Sequence, residues 1–125
     1  MAKKILIRIQ EVELEAELNE SPLATRIAEQ LPATVRMSRW GDEYYGSIGL
    51  GAENDPEAKD VVEVGTLAYW PPGDALCIFF GPTPVSHGSE PRAASAVSVI
   101  GSVPESKVEE LSSLPDTVKA TISEG

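Results

Sequence analysis

The stretch from Gly65 to Ser86 constrains the fold of this chain more than any other part of the sequence. It reads GTLAYWPPGDALCIFFGPTPVS and holds four of the seven aromatic residues of the chain. Two apolar runs flank the turn at Pro71–Asp74, a pattern typical of a hairpin between buried strands. The run from Ala75 to Phe80 is continuously apolar, which predicts a central strand buried on both faces. The prolines at 82 and 84 then predict a rigid surface loop.

Residue alternation elsewhere indicates further strands and two helices. The runs Lys4–Ile9 and Val12–Leu18 alternate apolar and polar residues, and their tight join predicts an antiparallel hairpin. Ser21 and Pro22 favour a helix start, and residues 104–113 carry the signals of a second helix. Further strands are predicted over 34–37, 44–50, 96–102 and 117–122, and as a short strand pair over 60–64 and 66–70. About eight strands and two helices in one domain, residues 1–125, indicate a mainly β, closed or nearly closed barrel.

Charge and hydropathy exclude several classes of function. Twenty acidic and ten basic residues give a net charge of −10, and no cluster of Lys and Arg suits phosphate binding, so we expect no nucleic-acid partner. No apolar run reaches the length of a membrane span, so we expect no membrane partner. The chain begins with alternating residues rather than an apolar leader, which favours a cytoplasmic location. The oligomeric state is left open by the sequence.

The residue types that carry most catalytic and metal chemistry are scarce. Cys77 is the only cysteine and lies in an apolar run, which favours an inert core thiol. His87 is the only histidine and lies in a segment, 87–92, that we expect to be a mobile loop. One His and one Cys do not make a zinc site, and no lysine follows the glycines at 46, 49 and 51. We therefore expect no metal and no cofactor, and no catalytic residue is assigned.

Aromatic residues beside a glycine turn indicate a binding cleft. Trp40 and Tyr45 flank the Gly41 turn, and for these two side chains a place in the core and a place at the rim of a cleft are equally open alternatives. Glu43 is either part of a carboxylate pair or a turn residue. Adjacent strand residues face opposite ways, so only one of Phe79 and its neighbour can line the same cleft. The loop at 81–84 either ends a strand or presents an exposed Thr83 hydroxyl near Ser95. The predicted cleft residues are Arg39, Trp40, Glu43, Tyr45, Phe79, Thr83, Pro84 and Ser95.

Several short motifs carry a resemblance over essentially the whole chain. They are Trp-Gly-Asp-Glu at 40–43, Val-Val-Glu-Val-Gly at 61–65, Tyr-Trp-Pro-Pro-Gly at 69–73, Ala-Leu-Cys-Ile-Phe-Phe-Gly at 75–81, Thr-Pro at 83–84 and Ala-Ser-Ala-Val at 94–97. In this order they resemble the small prokaryotic cyclophilin-like proteins, whose function is not established. The resemblance implies a closed eight-stranded cyclophilin-like barrel with two capping helices.

The resemblance also raises prolyl cis/trans isomerisation as an activity, although the residues of true cyclophilins are missing. Their Phe-His-Arg and Gln-Gly-Gly-Asp-Phe elements do not occur in this chain. Our first hypothesis is therefore a binding module for a peptide or a small molecule. The alternatives are a weak isomerase that uses a non-standard arginine such as Arg39 or Arg36, and an interaction subunit of an amide-cleaving metabolic complex.

Overall fold

A single sheet of nine strands organises the protein in a computed structural model that describes residues 3–125. The strands are β1 Lys3–Ile9, β2 Val12–Leu18, β3 Ala33–Arg39, β4 Glu43–Ser47, β5 Lys59–Val61, β6 Thr66–Trp70, β7 Ala75–Phe79, β8 Arg92–Ser102 and β9 Thr117–Glu124. Their order in the sheet is β2-β1-β9-β3-β4-β7-β6-β8-β5. Pairing of β2 with β8 closes eight of these strands into a ring, and β5 lies outside it along β8. The predicted closed eight-stranded architecture is confirmed.

Two helices complete the fold, as predicted. Helix α1 spans Pro22–Glu29, and the Ser21 hydroxyl accepts a hydrogen bond from the Ala24 amide at its start. The buried residues of α1 are Leu23, Ala24 and Ile27, and they pack into the hydrophobic core. The second helical segment covers nearly all of the predicted residues, with α2 over Glu105–Val108 and a 3₁₀ helix over Glu109–Ser113.

The seam that closes the barrel is short and depends on a glycine. Strands β2 and β8 pair through Glu17 with Ser102 and through Leu18 with Gly101. A Cβ atom at Gly101 would lie 2.1 Å from the Glu17 carbonyl oxygen, which is far inside any allowed contact. Only glycine therefore lets the two backbones approach closely enough to pair.

One predicted pairing is wrong. The segments near 60–64 and 66–70 do not pair with each other, because β5 pairs with β8, whereas β6 lies between β7 and β8. The chain enters β6 at Gly65, whose φ is +91°. The Gly65 amide donates to the Phe79 carbonyl at 2.8 Å, and its carbonyl accepts from the Val103 amide at 2.7 Å. Through these two hydrogen bonds the chain joins the ring at Gly65, and β5, which precedes Gly65, lies outside the ring.

Apolar side chains pack on both sides of one part of the barrel wall. The interior holds the main core, which includes Leu76, Ile78 and Phe80. Cys77 and Phe79 point the opposite way and belong to a second, smaller cluster, here called the outer-face cluster. Every residue of β7 is buried, which confirms the prediction of a central strand covered on both faces. The outer-face cluster consists of Val62, Ala68, Ala75, Cys77, Phe79, Ala93 and Val97, with Tyr45, Trp70 and Val99 packed against it.

Candidate functional site

A cleft of about 250 Å³ opens on the outer-face cluster. Strands β4, β6 and β8 and the turn before β4 form its walls, so it lies outside the ring rather than in the barrel interior. Both tryptophans of the chain face this cleft. The lining residues are Trp40, Glu43, Tyr45, Trp70, Ala93, Ala94 and Val97.

Glu43 is the polar group on which the electrostatics of the cleft depend. Its residue is only 5% exposed, and its Oε1 atom has no hydrogen-bond partner within residues 3–125. Burial raises the pKa of Glu43 from 4.5 to about 7, although a hydrogen bond with Cys77 acts in the opposite direction. Burial, and next to it the Glu43 charge, hold the pKa of the Cys77 thiol well above its usual value. The thiol therefore stays neutral, and the carboxyl changes protonation state near neutral pH.

Trp70 forms a wall that is held from two sides. Its indole Nε1–H donates to the Ser95 hydroxyl at 2.7 Å. A Cβ atom at Gly73 would lie 2.8 Å from the Trp70 ring, so the ring packs directly on that glycine. Tyr45 meets Trp70 edge to face, with ring centroids 6.5 Å apart and an interplanar angle of 79°. The two rings thus form a corner of defined geometry.

The turn that carries Trp40 and Glu43 rests on the prolyl loop at 81–84. The Trp40 amide donates to the Glu43 carbonyl at 2.8 Å and closes the turn. Gly41 adopts a φ of +61°, and a Cβ atom there would lie 2.8 Å from Cδ of Pro84. The Asp42 amide donates to the Pro82 carbonyl at 2.9 Å. The rigid loop therefore sets the position of the turn.

The predicted site residues lie in several different environments in the structure. Three of them, Trp40, Glu43 and Tyr45, line the cleft together, and Ser95 lies beside it as the partner of Trp70. Phe79 is fully buried beneath the cleft, and its neighbour Phe80 faces the barrel interior, as the alternation of strand residues predicts.

The prediction of an exposed Thr83 hydroxyl is wrong. Thr83 is buried, and its hydroxyl donates to the Arg92 carbonyl while its amide donates to the Ser86 hydroxyl. A hydroxyl enclosed in a loop must find such a partner, because an unpaired buried polar group is costly. Pro84 is exposed, and its contact is with Gly41. Thr83 and Pro84 therefore support the turn that carries Trp40 and Glu43, and they do not line the cleft.

Arg39 directly precedes Trp40 in the sequence, but its guanidinium is engaged by other groups. Its guanidinium donates to Asp42 at 2.8 Å and to the carbonyl oxygens of Gly41 and Ser112 at 2.8 and 2.7 Å. It also lies 5.2 Å from the centre of the Phe80 ring. These contacts hold the guanidinium in place, and Arg39 is not among the residues that line the cleft.

Sequence reasoning missed four lining residues, namely Trp70, Ala93, Ala94 and Val97. In the sequence, Trp70 has the pattern of an ordinary strand residue in the aromatic hairpin. The signal that could have identified it is the glycine three positions later, Gly73, which leaves room for a large ring. The small residues at 93 and 94 leave space opposite the aromatic rings, but small residues on a strand do not by themselves indicate a cleft.

Other kinds of site find little support in the part of the chain that the structure describes. Within residues 3–125, no group of three or more His, Cys, Asp and Glu side chains is placed to hold a metal ion. No helix in that range is long and apolar enough to cross a membrane. In the loop at 87–92, Glu90 accepts hydrogen bonds from the amides of His87 and Gly88, which hold the pKa of its carboxyl at about 2. The mobility of this loop stays a prediction.

A closed ring of eight strands with two helices and a cleft on its outer face defines a small β-barrel of the cyclophilin type. The family model described as cyclophilin-like matches residues 3–123, and the chain belongs to this family. The resemblance seen in the sequence is thereby confirmed. The chain is also 39% identical to the hypothetical protein AF2241 from Archaeoglobus fulgidus, whose solution structure aligns with a TM-score of 0.82 over 99% of this chain and 95% of that one. No curated protein matches this chain.

Proposed function

We propose that this protein is a binding module whose outer-face cleft takes a small molecule or a single side chain of a peptide, without dedicated catalysis. One observation carries the proposal. The two tryptophans and Tyr45 surround the cleft, and Glu43 is the one ionisable carboxyl among the lining residues. Its buried Oε1 atom has no hydrogen-bond partner in the described part of the chain. A buried polar group without a partner is costly in a folded protein, and a bound ligand would supply that partner.

The size and lining of the cleft support a small ligand. A volume of about 250 Å³ lies just below the range of about 300–1,000 Å³ that is common for small-molecule sites. Apolar and aromatic walls with few polar groups are the usual composition of such sites. Ser95 and Gly73 hold Trp70 in place before a ligand arrives, which lowers the entropic cost of binding.

The isomerase alternative has weaker support. Polarising a prolyl imide nitrogen would require a cationic donor at the cleft, and the seven lining residues include no Arg or Lys. Arg39, the arginine that the sequence placed closest, is engaged with Asp42 and two carbonyl oxygens. The isomerase, the subunit of an amide-cleaving complex and the cytoplasmic location stay predictions.

Intrinsic tryptophan fluorescence tests the proposal directly, because both tryptophans of the chain line the cleft. We would titrate the protein with a fragment set that contains amides, aromatic compounds, amines and an Ala-Pro-Phe peptide. Amide resonances of labelled protein would be followed in parallel by NMR. We expect at least one class of compound to change the fluorescence and to shift resonances of β4, Trp70 and residues 93–97.

A pair of variants separates binding in the cleft from binding elsewhere. Ala94 lines the cleft and is exposed, so Ala94→Phe should fill the cleft without disturbing the core. Thr34→Phe places the same ring on an exposed position of β3 and serves as the control. The proposal predicts that only the first variant loses binding. Failure of every compound class, or equal binding by the two variants, would contradict it. Faster cis/trans exchange of the peptide would establish the isomerase instead.

A further inference from the structure

We infer that the cleft binds a small organic cation, in which the aromatic rings of Trp40, Tyr45 and Trp70 surround an alkylated ammonium group and the Glu43 carboxylate balances its charge. The inference rests on the proposed function, and it adds the chemical class of the ligand. Three observations carry it: the hydrogen bond that the Trp70 indole already makes, the charges around Glu43 and the net charge of the chain.

The Trp70 wall offers the cleft its ring rather than a hydrogen-bond donor. The single N–H donor of the Trp70 indole is already used by the Ser95 hydroxyl at 2.7 Å. Trp70 and Tyr45 meet edge to face, so the rings present differently oriented surfaces to the cleft. The negative face of an aromatic ring attracts a cation, and sites built from several such rings are the usual binding sites of quaternary ammonium groups. The walls therefore favour a cation over an anion.

The residues packed around Glu43 leave its carboxyl without a compensating charge. On β4, the titratable residue on the same face as Glu43 is Tyr45. On β7, the titratable residue on this face is Cys77, whose raised pKa keeps the thiol neutral. The residues that β8 contributes to the cleft are Ala93, Ala94 and Val97, none of which is charged. An ionised carboxylate in this position is therefore unpaired, and a cation in the cleft would be its counter-ion.

The two arginines closest along the adjoining segments already have carboxylate partners. Arg39 pairs with Asp42 at 2.8 Å. Arg92, at the start of β8, pairs with Asp60 at 3.2 Å and with Glu90 at 3.3 Å. Neither guanidinium is free to neutralise the buried carboxyl. The chain as a whole carries a net charge of −10, which raises the local concentration of cations and repels anions.

The protonation of Glu43 gives the inference a signed pH dependence. Its pKa is about 7 in the empty cleft, so below neutral pH the bound proton competes with a cation. The affinity for a permanently charged ligand should therefore fall about tenfold between pH 8 and pH 6 and stay level above pH 8. A neutral ligand that accepts a hydrogen bond from the protonated carboxyl would show the opposite trend.

Choline and its neutral isostere 3,3-dimethylbutan-1-ol are the matched probes. They share shape and hydroxyl group but differ in the charge at the branched end, and a quaternary ammonium group does not titrate. Tryptophan fluorescence and NMR titration should show choline binding at least about tenfold more tightly than the alcohol at pH 8. Glu43→Gln should weaken choline binding by a similar factor and abolish its pH dependence. Glu29→Gln, which makes the same charge change on an exposed helix residue, should do neither.

Three outcomes would overturn the inference. They are equal binding of choline and the alcohol, a choline affinity that rises below pH 7, and no choline binding at all. Each of them leaves the proposed function to be decided by the fragment titration and Ala94→Phe, so the two can fail separately. A trimethyllysine peptide is the last arm of the experiment. If the peptide binds much more tightly than choline, the ammonium group that the cleft recognises belongs to a protein partner. That result would overturn the inference that the ligand is a small molecule.

Discussion

Glu43 shows at the scale of one residue how a polar side chain in an apolar setting acquires chemical character. Its strand places it between the aromatic walls and Cys77, where the carboxyl is shielded from water. Water stabilises the ionised form of a carboxyl more than the neutral form, so loss of water favours the proton. The same burial therefore sets both the stability cost of this residue and the pH at which the cleft becomes charged.

The first prediction concerns the stability of Glu43→Gln. Because burial raises the pKa of Glu43 from 4.5 to about 7, the wild type should lose stability as the pH rises between these values and keep the loss above pH 7. The variant keeps the shape and cannot ionise. We expect it to be more stable than wild type by about 3 kcal/mol near pH 8, and by less than about 1 kcal/mol near pH 4.5.

Urea unfolding of both proteins at the two pH values measures this difference. Other carboxylates titrate over the same range in both proteins, so their contributions cancel when the two are compared. A stability difference that does not change with pH would contradict the raised pKa.

The second prediction concerns Ser95, which holds the Trp70 indole. Ser95→Ala removes the acceptor of the 2.7 Å hydrogen bond, and water can replace it because Ser95 is exposed. The loss of stability should stay below about 1.5 kcal/mol. The Trp70 indole N–H resonance should shift and exchange faster with solvent, whereas that of Trp40 in the same spectrum should not change. Equal changes at both indoles would argue against this specific contact.

At the scale of elements, the prolyl loop positions the turn that carries Trp40 and Glu43. Gly41 and Gly51 have almost the same positive φ, +61° and +64°. A Cβ at Gly41 would meet Pro84 and Thr83 at 2.8 Å, whereas a Cβ at Gly51 would meet nothing within 4 Å. This pair of glycines therefore separates backbone strain from steric contact.

The third prediction compares alanine at these two glycines. Gly51→Ala should cost about 1–2 kcal/mol from the backbone conformation alone. Gly41→Ala should cost more, should shift the Trp40 resonances and should weaken any ligand of the cleft, because the turn must move away from the loop. Thermal unfolding and NMR spectra of the two variants test this. Equal stability losses with an unchanged Trp40 would show that the loop does not hold the turn.

The fourth prediction concerns the seam between β2 and β8. Gly101→Ala places a Cβ atom 2.1 Å from the Glu17 carbonyl oxygen and should push the two strands apart. We expect a loss of at least about 2 kcal/mol, with faster hydrogen exchange at the Asn19 amide, which bonds to the Ile100 carbonyl. Gly88→Ala, in an exposed loop, is the control. Retained protection of Asn19 in Gly101→Ala would rule out opening of the seam.

At the scale of the whole molecule, the acidic surface opposes folding. Twenty acidic and ten basic residues leave a net charge of −10 on a chain of 125 residues. Ion pairs such as Arg8 with Glu13 lie on the exposed surface and contribute little. Repulsion between like charges therefore outweighs these pairs, and it weakens when salt shortens the range of the interaction.

The fifth prediction follows from this balance. The melting temperature should rise by several degrees when sodium chloride is raised from about 0.01 M to about 0.5 M, a change that shortens the screening length from about 30 Å to below 8 Å. Potassium chloride should have the same effect, because screening does not depend on the identity of the ion. Calorimetric melts measure both. A melting temperature that falls with salt would show that the ion pairs dominate.

Features set by neighbouring residues were predictable from the sequence. The first hairpin pairs over the predicted residues, from Lys4 with Glu17 to Ile9 with Val12, and extends by one pair to Lys3 with Leu18. The Ser21 cap and the burial of β7 on both faces also agree with prediction. The partner of β5 was predicted wrongly, because pairing between strands that are distant in sequence depends on the tertiary arrangement and not on either strand alone.

The site was predictable only in part, for the same reason. Alternation along β4 and β7 separates residues that face the interior from residues that face outward. It cannot tell which outward residues are covered by other segments. The prediction therefore included Trp40, Glu43 and Tyr45 but missed Trp70, which comes from a different strand of the same wall.

Residue type and short-range order along the chain were enough to predict most of the strands, the first helix, the acidic surface and the family. The shared outer face of β4, β6 and β8, its opening into a cleft and the burial of the Glu43 carboxyl there follow only from the folded arrangement. The order β4-β7-β6-β8 within the sheet brings together residues about 50 positions apart in sequence, such as Glu43 and Ala93. Burial, which sets the pKa of Glu43, exists only once these residues meet.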